Sequence, residues 1–136
     1  MPELKDYVYG FCMCATSLYS VEMLWQAKEA QTKYLVKGST SNEASVAFTQ
    51  WFGAAIGQIA MISAAGYLAA HKAGADSVKN AMGVTSAAST LWSFARFQKS
   101  VQDGVQKPDI TAPIFHTTSF VGLLACFLPG FMKDLK

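Results

Sequence analysis

Apolar residues in this chain gather into four long runs separated by short polar stretches, and no stretch shows the period of two that marks a half-buried strand. The first run covers 7–27 and holds one charge, Glu22; the second, 44–70, the third, 80–95, and the fourth, 110–132, hold none. A helix rising about 1.5 Å per residue needs about 20 residues to cross a hydrocarbon core of about 30 Å. Three of the runs reach that length directly. The third does so over 78–99, if Lys79, Arg96 and Lys99 lay their stems along the span and carry their charges out to its ends. The expectation is therefore an all-α integral membrane protein. Its four transmembrane helices, at about 7–27, 44–70, 78–99 and 110–132, form an up-down bundle in a single domain over 1–136.

The connections fit this parse. Thr40 and Glu43 are spaced as a capping box ahead of the second helix, and Asp76 is placed to cap the third. The link over 71–79 is short, which makes the second and third helices antiparallel neighbours. Lys107-Pro108-Asp109 breaks the chain before the fourth helix, and Pro129-Gly130 is expected to end it. Aromatic placement is an independent check. With four crossings, Trp25, Trp51 and Trp92 fall toward one face of the membrane, and Tyr7, Tyr9 and Tyr67 toward the other, as interfacial anchors do. A soluble helical bundle would need a polar stripe on the second helix, and none is present.

Composition sharpens the picture only in part. Hydrophobic residues make up 51% of the chain and charged residues 15%, below the roughly 25% usual in soluble proteins, so the membrane signal lies in how the charges cluster. A net charge of +2 with no basic tract gives no electrostatic footprint for nucleic acid. Lys28, Lys33, Lys37, Arg96, Lys99 and Lys107 lie on the tryptophan side, against Lys5, Lys72, Lys79, Lys133 and Lys136 on the other. So small a difference sets no orientation. The N-terminal residues lack the Arg-rich, acid-poor character of a transit peptide, and the first apolar run reads as a retained helix. Cys12, Cys14 and Cys126 sit in apolar runs without zinc-type spacing and read as small buried hydrophobes.

Three groups of residues could carry more than architecture. Gly53 and Gly57 form a GxxxG that Ala60 and Ala64 continue, and Gly83 and Ala87 form a matching strip on the third helix. The expectation is that these strips pack on each other; the sharper alternative is that one docks on another protein. Glu22, Arg96 and His116 lie at similar depth near the tryptophan face, where a carboxylate in lipid needs a partner. They form an expected intramembrane polar cluster, able to lock helices or, less plainly, to handle protons or a polar ligand. His71 and His116 are also possible single axial ligands for haem or chlorophyll, on opposite faces. No cofactor is required by the sequence, and bound lipid is expected. Thr85, Ser86, Ser89, Thr90 and Ser93 suit hydrogen bonds between helices, and no metal or catalytic motif appears.

The function expected from small size, four spans and small-residue strips is that of a non-catalytic accessory subunit. It would scaffold a larger membrane complex of the respiratory or photosynthetic kind, in a mitochondrial inner or plastid membrane, with other membrane subunits and lipids as partners. The alternative is a stand-alone transporter or ligand-binding protein that uses Glu22, Arg96 and His116.

Overall fold

The computed structural model describes residues 3–35 and 42–136, so Thr40, expected as a cap, lies outside the described residues. Among the described residues the chain forms α1 (Leu4–Trp25), α2 (Ala27–Tyr34), α3 (Glu43–Lys72), α4 (Asp76–Gln102) and α5 (Thr111–Asp134), with no strand. Four of these match the four apolar runs. The pattern does not predict α2: its sequence, AKEAQTKY, is polar and reads as a loop.

The helix ends follow local chemistry. At α3 the cap is Asn42, whose Oδ1 accepts from the Ser45 amide at 2.8 Å while its own amide donates to Ser45 Oγ at 3.0 Å. Glu43 is thus the first helical residue and not the closing member of a capping box. Gly74, at φ 65°, turns the chain after α3 in the left-handed region that favours glycine. Asp76 does not cap α4; it is that helix's first residue, and its carboxylate reaches Lys79 Nζ at 2.9 Å. Ahead of α5, Asp109 accepts from the Thr111 amide at 2.9 Å and from its hydroxyl at 2.6 Å. Pro129-Gly130 does not end α5, which runs on to Asp134. A proline removes its own N–H bond and crowds the carbonyl one turn back, a loss that apolar helices tolerate where neighbouring groups re-satisfy the backbone. Gly130 leaves the room that the Asn80 side chain of α4 occupies, and Asn80 Nδ2 then bonds Asp134 Oδ2 at 3.0 Å.

The long helices alternate in direction and pack as two pairs, α1 on α3 and α4 on α5. The small-residue strips explain this pairing and correct the expectation that they face each other. Gly53 and Gly57 lie against α1, where a Cβ on Gly53 would come within 2.7 Å of Met23 Cβ. Ser20 Oγ fills the same gap by donating to the Gly53 carbonyl at 2.6 Å. Ala60 is buried in this strip and Ala64 half-buried. Gly83 serves α5 instead: a Cβ there would overlap the Phe127 ring, which is fully buried beside Ala87 and Leu123. Tyr9 and Tyr67 stack at 4.1 Å and both meet Phe127 edge-on, forming the aromatic centre of the core. They lie toward the expected end, but only Tyr7 faces outward.

Candidate functional site

A charged cluster closes the end of the bundle where α1 begins, α3 ends and α4 begins. Asp6, in the first turn of α1, accepts from the Tyr67 hydroxyl at 2.8 Å and lies 3.8 Å from Lys79 Nζ. Lys79 is only 4% exposed, so it is turned inward and does not snorkel as expected. A buried ammonium needs partners, and it has Asp76 at 2.9 Å besides Asp6. His71 Nδ1 stands 3.5 Å from both Lys79 Nζ and Asp6 Oδ1. The neutral ring can accept from the ammonium there; the protonated ring can donate to the carboxylate. Lys5 completes the group, 3.6 Å from Asp76 and 3.1 Å from Glu3.

The electrostatics keep both acids ionised. Burial works to raise the Asp6 carboxyl, but the Glu3 amide, the Tyr67 hydroxyl, the Lys79 ammonium and the His71 ring in its protonated form outweigh it and hold it below the ordinary 3.8. Asp76 is held low as well, first by its hydrogen bond from Lys79 and then by the charge of Lys5. Each acid is matched to a cation, and the group joins three helix ends above the Tyr9–Tyr67 stack. Chemically this is a clasp. Its sequence signal is thin because Asp6 lies 73 positions ahead of Lys79.

The expected cluster of Glu22, Arg96 and His116 is not assembled. Glu22 Oε1 bonds Lys33 Nζ at 2.9 Å, and its Oε2 accepts from the Tyr34 hydroxyl at 2.9 Å. In one straight helix, residues 22 and 33 would stand about 16 Å apart along the axis. The break at Gln26, with φ −123° and ψ 40°, folds α2 back and closes that distance. α2 is held there by Gln31 Nε2, which donates to Thr49 Oγ1 at 2.8 Å. The Lys107 amide and ammonium also donate to the Tyr34 and Thr32 carbonyls, at 2.8 Å and 2.6 Å. Arg96 is exposed and makes no ion pair among the described residues. His116 sits between the Phe94 and Phe115 rings, with Nδ1 buried and unpartnered.

The remaining expected positions fall as follows. Trp25, Trp51 and Trp92 all point outward, with more than two thirds of each side chain exposed. Thr90 Oγ1 donates to the Ser86 carbonyl of its own helix at 2.9 Å and does not bridge helices, while Thr85, Ser89 and Ser93 are exposed. Cys12 is buried and Cys14 exposed, as positions two apart on a helix must differ. Among the described residues, no three His, Cys, Asp or Glu side chains gather into a metal-binding group. Comparison with protein-family models, with curated proteins and with solved structures gave no match.

Proposed function

We propose that this chain crosses a membrane four times and serves as a non-catalytic accessory subunit, bracing a larger membrane assembly in an energy-converting organelle. One observation carries the reading: the long helices turn large apolar side chains outward, while Asp6, Asp76 and Lys79 pair at one end of the bundle and Glu22 and Lys33 at the other. α3 and α5 are each long and apolar enough to span a bilayer, and only 17% of each candidate span is buried within the protein. The core helix of a soluble protein would be mostly covered. α1 and α4 lie alongside them and expose Phe11, Leu18, Leu91 and Trp92 in the same way. So wide an apolar surface calls for lipid or for other membrane subunits.

The scaffolding half of the proposal rests on what the charges do. The clasp at one end, and the Glu22–Lys33–Tyr34 group at the other, hold helices together and engage their acids with neighbouring cations. The transport alternative needs Glu22, Arg96 and His116 in one site, and Glu22 is engaged elsewhere. Resistance to extraction by alkaline carbonate tests the membrane half. Purification in mild detergent from mitochondrial or plastid membranes tests the rest. Co-migration with a multi-subunit assembly is expected; recovery only as a free monomer or homodimer would overturn it.

A further inference from the structure

We propose that the groove between α1 and α5 binds a membrane-soluble carbonyl compound, a molecule with an apolar body and a hydrogen-bond-accepting head. The inference rests on the membrane reading, because the groove opens on the outer face of the bundle. It holds about 260 Å³ between Tyr7, Phe11 and Cys12 on α1 and Thr118, Ser119 and Gly122 on α5. Gly122 lines it opposite Val8, and a Cβ there would make ordinary contact with Val8 Cγ1 at 3.4 Å.

Ser119 is out of character with these apolar walls. It is 4% exposed, and its hydroxyl has no hydrogen-bond partner among the described residues. Elsewhere on α1, Thr16 and Ser17 return to their own helix, to the Cys12 and Met13 carbonyls at 2.8 Å each, and Ser20 finds the Gly53 carbonyl of α3. The return to the same helix is the usual resolution. Ser119 has the Phe115 carbonyl one turn back on its own helix and does not take it. The Cys12 thiol lies within hydrogen-bonding reach of Ser119, but a thiol is only a weak donor and acceptor and a poor match for a buried hydroxyl.

Buried polar groups are normally paired, so an orphan hydroxyl lining an outward-opening groove points to a partner that arrives from outside. Whatever reaches Ser119 through this groove must be apolar, and to take the free O–H it must carry an acceptor oxygen. The groove is smaller than the roughly 300–1,000 Å³ of enclosed ligand pockets, so the head enters while the body lies along Tyr7 and Phe11. Ser119 stands about 12 Å along the axis from the start of α5, too deep for a phospholipid ester at the bilayer surface.

The test uses the full chain in phosphatidylcholine vesicles and a long-chain methyl ketone bearing a photoactivatable diazirine. Crosslinks are expected to concentrate on the Tyr7–Cys12 and Thr118–Gly122 peptides and to be displaced by the unlabelled ketone. The carbonyl-free alkane diazirine should label the outward faces of all four long helices without that preference. Ser119→Ala, which keeps the groove and removes the hydroxyl, should weaken displacement about tenfold, the worth of one hydrogen bond. If ketone and alkane give the same labelling pattern, or Ser119→Ala changes nothing, the inference is overturned and the membrane reading stands. If neither probe labels any helix, both fall.

Discussion

Lys79 shows how one side chain sets the terms for its neighbours. Its ammonium is buried, so its acids cannot be removed cheaply. Neutralising both, as Asp6→Asn with Asp76→Asn, leaves the buried ammonium without a counter-charge and should lower the unfolding temperature markedly. Lys79→Met removes the charge itself and should cost clearly less. Thermal unfolding in detergent compares the two, and equal losses would refute the clasp. The same group fixes a pH dependence. Asp6 and Asp76 titrate below their ordinary 3.8 in the folded chain. Their stabilisation is therefore complete above that value and is lost as pH falls through the lower folded values. An acid titration followed by helicity should show a transition that moves toward neutral pH in Asp6→Asn. None of this is legible in sequence, because a lysine at the end of an apolar run reads as a snorkelling residue until its partner is placed.

Between helices, glycine decides who packs on whom. A methyl group at Gly83 would run into the buried Phe127 ring, so Gly83→Ala should destabilise the α4–α5 pair by about 1–3 kcal/mol. A Cβ added at Gly10 would meet nothing within 4 Å, and Gly10→Ala should stabilise α1 by about 0.5–1 kcal/mol. Denaturation midpoints of the two variants should move in opposite directions. The strips themselves are readable from their spacing, but their partners are not: a GxxxG marks a close approach without saying to which helix. α2 escapes the sequence for a different reason. Its eight residues are too few and too polar to carry a helical pattern, and it exists because Gln31, Lys33 and Tyr34 find partners on α3 and α1. Lys33→Ala should accordingly loosen α2 alone, raising protease cleavage within 27–34 while the four long helices keep their helicity.

Across the whole molecule, the four apolar runs set the positions of the four long helices, and the tryptophans fall toward one end of the bundle when those helices alternate in direction. Three outward indoles at one end make the membrane reading measurable. Bromines placed near the headgroup end of the acyl chains should quench Trp25, Trp51 and Trp92 more strongly than bromines at the chain termini. A Trp25 or Trp92 insensitive to either would mean that α1 or α4 does not cross. What sequence does not supply is the division into two helix pairs, since that depends on which surfaces fit once all four are present. The clasp also bears on how the chain is made. On the four-span reading proposed above, Asp6 leaves the ribosome well before Lys79, so the acid already stands at its membrane face when α4 inserts. α4 is the least apolar of the long helices, and the awaiting carboxylate gives its entry a destination. On that reading, a chain made without Asp6 should insert α4 less often and yield a smaller fraction of folded protein.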